Sequence, residues 1–211
     1  MAYRARRIHI TGASGTGTTT LGAALAARLD VPHLDTDDFY WHPSSPPFQA
    51  KRPVAERLEL LRAAFLSQPG WVLSGSINSW GDELAAEFDR VVFLYVPPGE
   101  RIRRTEARER ERYGRDVDPG GPLHEQHHAF MEWSKSYDLP GTTGRSLVRH
   151  RAWLATLSCP VVEIYGTPTP EQSLDAVLHA TSSRTRLEFP RSRHPQRQPG
   201  DEPPDLASRP R

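Results

Sequence analysis

Between Ile8 and Thr20 the chain reads I-H-I-T-G-A-S-G-T-G-T-T-T, a short β-type run that passes through a glycine-rich turn into a helical pattern marked by Leu21, Leu25 and Leu29. A strand that ends on such a turn and continues as a helix is the setting of a phosphate-binding loop. Gly12, Gly15 and Gly17 let backbone amides approach an anion with no Cβ in the way, and the helix that follows points its positive N-terminal end at the same place. Gly12, Ala13, Ser14, Gly15, Thr16, Gly17, Thr18, Thr19 and Thr20 are therefore the expected nucleotide-binding stretch. Set against G-x-x-x-x-G-K-S/T, Thr19 takes the position whose hydroxyl reaches Mg2+, and Thr18 takes that of the lysine. Threonine carries no charge, so either the amides and other cations suffice at the phosphates or phosphoryl transfer is weak.

With 211 residues, of which 182 to 211 are rich in proline and arginine and read as disordered, the chain has room for one α/β domain with a proper core. The lone cysteine, Cys159, excludes an internal disulfide. No apolar run approaches the roughly 20 residues of a membrane span. Met1 to Arg7 is a short basic lead without an apolar stretch, so a soluble cytoplasmic protein is expected, with a monomer favoured. The net charge is +1. Seven arginines against four acids in residues 182 to 211 place +3 there and leave the remainder at −2, which makes nucleic acid an improbable partner.

Val31 to Asp35 reads as a second strand, followed by Asp35, Thr36, Asp37, Asp38, Phe39, Tyr40 and Trp41. Side chains just past the carboxyl ends of parallel strands face the ligand crevice, and Asp35 and Asp37, two apart, can point the same way there. One carboxylate can hold Mg2+ through water while the other orients an acceptor hydroxyl or takes its proton; an acidic loop that caps a helix is the other reading. The aromatic residues can stack on a planar substrate or form a plug under a loop, and the sequence leaves that open. A proline-rich stretch from Pro43 to Pro53 and a helix over Val54 to Ser67, with Leu58, Leu61, Phe65 and Leu66 on its apolar side, form an insert in which Trp41 is a candidate substrate contact and Arg52 and Arg57 either grip an anionic acceptor or are exposed charges.

Trp71 to Ile77 is the third strand and ends without an acid; a short helix at Asp82 to Phe88 and a buried strand at Val91 to Val96 follow. Glu100 to Tyr113 is helical and crowded with arginine, Arg104 and Arg108 sharing a face. Gly114 to Pro122 breaks the chain ahead of a lid helix, His124 to Tyr137, expected to pack Phe130, Met131 and Trp133 inward. Its first turns contain H-E-x-x-H, the zinc-hydrolase pattern, without a third ligand at a familiar spacing. A helix over Arg145 to Leu157 brings Arg145 and Arg149, which can swing over phosphates and replace the charge that Thr18 lacks. Val161 to Tyr165 is the last strand, and Thr169-Pro170-Glu171 opens the last helix.

This order of elements resembles the nucleoside-monophosphate kinase and shikimate kinase group of P-loop proteins, including the adenylate kinase-like ATPases, over about residues 6 to 180. The motifs that carry the likeness are G-A-S-G-T-G-T-T-T, D-T-D after the second strand, and V-P-P-G-E-R-I-R-R-T-E-A-R after the fourth. It implies a three-layer α/β P-loop sandwich over residues 1–181 with a mainly parallel five-stranded sheet, a helical acceptor insert at about 39–68 and a helical lid at about 113–145. It also implies ATP and Mg2+ as cofactors and transfer of the γ-phosphoryl group to a small-molecule acceptor. By position, Arg104 would lie against adenine and Arg108 at the phosphates, with Asp35 serving the metal and Asp37 the acceptor hydroxyl. The chain departs from the group at Thr18, at the acid absent from strand three and in lacking R-x-D-D in the lid. A nucleotide-binding module or ATPase with little transferase activity is therefore the alternative.

Overall fold

The computed structural model describes residues 6–140 and 144–190, apart from the side chain of Leu66. Arg7–Gly12 (β1) leads into Thr18–Leu29 (α1), then His33–Asp35 (β2), Thr36–Tyr40 (α2), Val54–Leu66 (α3), Trp71–Ser74 (β3) and Arg90–Tyr95 (β4). Pro98–Tyr113 (α4), His124–Lys135 (α5), Leu147–Thr156 (α6), Val161–Tyr165 (β5), Pro170–His179 (α7) and Arg184–Glu188 (β6) complete the order, with 3-10 turns at Asp82–Glu87, Gly114–Val117 and Ser136–Asp138. The strands form one parallel sheet in the order β2-β3-β1-β4-β5-β6.

Both faces of the sheet are covered, as its near-continuous apolar strands require. Alternate residues divide between two cores: Trp71, Leu73, Val91, Phe93 and Val161 face α3 and α6, through Leu61, Phe65, Trp153 and Leu154. Ile8, Ile10, Val72, Val92, Leu94, Val162 and Ile164 face α1 and α7, through Leu21, Leu25 and Val177. The Phe65 and Trp71 rings stack at 3.9 Å, so α3 is pinned to the start of β3. Because β2 and β3 lie on one side of β1 and β4 on the other, the crossovers diverge at the carboxyl end of β1 and leave the crevice where ligands bind in open α/β sheets.

The sheet has six strands, which corrects the expected five. The sixth lies in the segment read as disordered: Arg184–Glu188 pairs with β5 along its length, and the Phe189 amide still bonds to Tyr165. An edge strand needs only one apolar side, here Thr185 and Leu187, so its arginines disguised it. Residues 191–211 lie outside the described residues. On α5 only Met131 is buried of the three side chains expected inside; Phe130 is half-buried and Trp133 is 41% exposed. The helix expected from Arg145 begins at Leu147, because Ser146 caps it by accepting the Arg149 amide, and Arg145 is left outside it.

Two histidines are locked inside. His9, between Ile8 and Ile10, stacks on Phe88 at 5.0 Å and donates Nδ1–H to the Leu73 carbonyl at 3.1 Å. His150 takes a 2.6 Å hydrogen bond at Nδ1 from the Tyr137 hydroxyl and turns Nε2 to Thr11 Oγ1 at 3.5 Å. Burial lowers His9 to about 4 and His150 to about 3, so both are neutral in the fold. Below pH about 6.5 the unfolded chain binds these two protons and the folded chain does not, so stability declines from pH 6.5 toward 4 by about 1.4 kcal/mol per unit for each histidine. Urea midpoints should accordingly fall from pH 7 to 5, and His150→Gln should remove about half the slope; a flat profile would contradict neutral burial.

Candidate functional site

The turn after β1 holds its shape through its own backbone: the Thr16 amide and hydroxyl both donate to the Ala13 carbonyl, at 3.3 and 2.8 Å. Gly15 and Gly17 adopt φ of 82° and 90°, the left-handed region. A Cβ on Gly12 would lie 2.6 Å from the Leu94 carbonyl oxygen, and one on Gly15 would lie 2.4 Å from the Arg101 carbonyl oxygen and 2.5 Å from Thr105 Oγ1. The loop is thus wedged against α4. Gly17 has nothing within 4 Å and supplies only the turn. It begins α1 without a side-chain cap, and the Leu21 amide bonds back to Gly17 at 3.0 Å. The amides of Thr18, Thr19 and Thr20 precede that bond and are the orphan donors an anion can take.

Across the crevice, Thr19 Oγ1 donates to Asp35 Oδ2 at 2.9 Å, Ser74 Oγ donates to the same oxygen at 3.2 Å, and Asp35 Oδ1 accepts the Asp37 amide at 3.0 Å. Asp35 therefore caps α2, as the helix-capping reading expects, and its other oxygen faces Thr19 of the glycine loop. Asp37 is open to water on one side but enclosed by protein on the others. Desolvation raises its pKa first and the Asp35 charge adds to this; Arg145, Arg108 and a hydrogen bond from Trp41 pull the other way. Thr19 and Asp35 offer hard oxygens of the kind Mg2+ takes together with waters and phosphates.

Arginines approach the loop from the lid side. Arg145, just before α6, donates Nη2–H to Ser14 Oγ at 2.8 Å and lies 4.9 Å from the centre of the Trp133 ring. Burial lowers its pKa, and its Nε lacks a hydrogen-bond partner among the described residues. Arg101, 1% exposed, escaped the sequence reading. It donates to Asp138 Oδ2 at 2.8 Å, to the Ser134 carbonyl and hydroxyl at 3.0 Å each, and reaches the Ser14 carbonyl at 3.5 Å. The four-residue spacing that puts Arg104 and Arg108 on one face also links Arg101, Thr105 and Glu109, which form the buried side of α4.

The other expected residues divide. Arg104 is engaged by Glu100 at 2.7 Å, and Arg52 by Glu56 at 2.5 Å and the Trp41 carbonyl at 3.1 Å, so both guanidinium groups are tied to neighbours. Arg108 is exposed on the crevice side, where its charge reaches Asp37. Arg57 is 6% exposed, with its guanidinium 3.7 Å over the Tyr40 ring and 5.5 Å from Trp80. Arg149 donates to Ser79 Oγ at 2.8 Å, so Arg57 and Arg149 flank the same loop after β3. In the H-E-x-x-H stretch, His124 Nδ1 lies 3.2 Å from the Val117 carbonyl, and the His124 and His128 ring centres are 6.3 Å apart. Among the described residues no group of three or more His, Cys, Asp or Glu is placed to hold a metal.

A strand, a glycine loop wedged under a helix, and a second helix whose free amides face the carboxyl end of a parallel sheet define a P-loop α/β protein. The chain belongs to the AAA domain family, which matches residues 8–122. It is 45% identical over 178 residues, 84% of this chain and 98% of the other, to the uncharacterized protein YqaC of Bacillus subtilis (strain 168). Among solved structures it is similar to a shikimate kinase from Bacteroides thetaiotaomicron, with a TM-score of 0.43 and 19% identity over 82% of this chain and 95% of that one. A shikimate kinase from Acinetobacter baumannii in complex with shikimate gives a TM-score of 0.46 and 18% identity over 82% and 89%. No helix among the described residues is long and apolar enough to cross a membrane.

Two glycines separate backbone strain from collision. Gly17→Ala should lose only about 1–2 kcal/mol for its positive φ, whereas Gly15→Ala meets a carbonyl oxygen as well and should lose about 1–3 kcal/mol more. Urea denaturation of the two variants checks this; equal losses would show that the loop is not wedged on α4.

Proposed function

We propose that this protein transfers the γ-phosphoryl group of ATP to a hydroxyl of a small anionic acceptor. The observation that carries the reading is the meeting, at the carboxyl end of β1, of the free amides of α1, the Thr19–Asp35 pair at 2.9 Å, Asp37, and Arg145 on Ser14 at 2.8 Å. In this reading the amides of Gly12 to Thr20 hold the phosphates, and Arg104 lies toward the adenine. Thr19 would hold Mg2+ directly and Asp35 through water; the bound ion neutralises charge on the phosphate oxygens. Asp37, with its raised pKa, orients the acceptor hydroxyl and takes its proton. Arg145, assisted by Arg108 and Arg149, lies over the oxygens on which charge develops and replaces the lysine absent at Thr18. Positioning and electrostatics then do most of the catalysis.

The acceptor class follows from how the aromatic residues are used. Arg57 covers the face of Tyr40, while Tyr40, Trp41, Phe48 and Trp80 meet one another edge to face at 5.0 to 6.0 Å. The rings hold a buried guanidinium and are not left free to stack a base. Arg57 forms no ion pair with a carboxylate among the described residues, and Arg149 stands on the same loop, so both are candidates to take a carboxylate or phosphate on the acceptor.

Labelled ATP offered with a panel of nucleoside monophosphates, shikimate, gluconate and other small hydroxy compounds tests the reading, with transfer expected to an anionic member. Arg145→Ala should lower kcat about 10²–10³-fold and Thr18→Lys should change it little, whereas Arg57→Ala should raise the acceptor KM and leave ATP affinity intact. Binding of ATP with no transfer to any compound would favour the module without transferase chemistry, for which the threonine at position 18 is the specific observation. An unchanged melting temperature with ATP and Mg2+ would overturn both.

A further inference from the structure

β3 ends at Ser74, fully buried and directly beside Asp35 in the parallel register of β2 and β3. Its hydroxyl donates to Asp35 Oδ2 at 3.2 Å, and His33 Nε2 lies 3.0 Å from Ser74 Oγ. A hydroxyl has a single proton. With that proton on the carboxylate, Ser74 can only accept from the imidazole, so Nε2 carries the hydrogen. The bonds then run from His33 to Ser74 to Asp35, where Thr19 adds its own at 2.9 Å. His33 and Asp35, two apart on one strand, point to the same face.

Room for the ring comes from α1. Gly22 lies among the buried positions of that helix, where glycine is a poor helix former. A Cβ there would stand 2.5 Å from His33 Nε2 and 3.0 Å from Ser74 Cβ. The helix thus forgoes a better residue at the one place where the imidazole must pass. With Oδ1 tied to the Asp37 amide and Oδ2 to two hydroxyls, the Asp35 carboxylate is fixed at the crevice.

We propose that His33 is a positioning residue: acting through Ser74, it sets the orientation in which Asp35 meets the Mg2+ complex of the nucleotide. This rests on the phosphotransferase reading above. Outer partners of this kind are worth about 10–100-fold in metal affinity. The relay also accounts for a strand end that carries serine where an acid is otherwise found, since the carboxylate is supplied by the neighbouring strand and steered from there.

Calorimetric titration of the full chain with ATP, with and without Mg2+, gives the factor by which the metal strengthens binding. His33→Ala should lower that factor about tenfold while leaving metal-free ATP affinity at the wild-type value, because the amide cradle is untouched. His33→Gln, whose amide can donate to Ser74, should retain most of it. Gly22→Ala should fall with His33→Ala, since its methyl displaces the ring. Wild-type factors in both alanine variants would overturn the positioning role alone; a wild-type protein that binds no ATP under either condition would overturn the phosphotransferase reading and this inference with it.

Discussion

The close approach of Gly15 to the backbone of α4 is the constraint on which the crevice depends. Without a side chain at that position the Arg101 carbonyl oxygen and the Thr105 hydroxyl come to 2.4 and 2.5 Å from where a Cβ would be. That contact fixes the loop from outside. The inner bonds from Thr16 to Ala13 fix it from within, and together they leave the amides of α1 pointing into the crevice. A cradle built this way has little to reorganise when an anion arrives, which is the condition under which backbone dipoles are most effective.

Charge is distributed differently from geometry. The β1–α1 segment offers dipoles and hydroxyls, and the acids Asp35 and Asp37 stand opposite it; the cations that touch the loop come from α4 and from the stretch before α6. Arg101 and Arg145 meet at one residue, Ser14, one at its carbonyl and one at its hydroxyl. Arg101 is bonded to Asp138 and both polar groups of Ser134, so it is occupied as a strut between the lid and the loop. Arg145 makes its side-chain bond to Ser14 Oγ and lies against the Trp133 ring, and burial lowers its pKa; the Nε of both arginines lacks a partner among the described residues.

The parallel strands were legible because Val91 to Leu94 of β4, and Val161, Val162, Ile164 and Tyr165 of β5, alternate between two cores, which calls for a nearly continuous apolar run. The start of α7 was legible for a local reason: Thr169 and Gln172 form a reciprocal capping box around Pro170. Elements whose stability comes from distant contacts were not. β6 depends on backbone bonds to β5 and hides behind arginines. Trp133 looked like a core residue by its place in α5, yet it is the ring on which Arg145 lies, twelve residues further along the chain. Arg52 and Arg57 read alike in sequence; a glutamate one turn on engages the first, while the second is carried under Tyr40 and Trp80 by packing across the insert. The relay from His33 was invisible, since its members come from β2, β3 and α1.

The outermost strand has a further consequence. Arg184, Arg186 and Glu188 share one side of β6: Arg184 donates to the Leu154 carbonyl at 2.8 Å, and Arg186 folds back over Tyr165 at 4.1 Å while pairing with Glu188 at 3.0 Å. A parallel sheet that stopped at β5 would present Val161 to Tyr165, apolar except for Glu163, as a bare hydrogen-bonding margin open to another chain. Capping it with a ribbon of alternating charge lets the sheet terminate without offering a template for further addition.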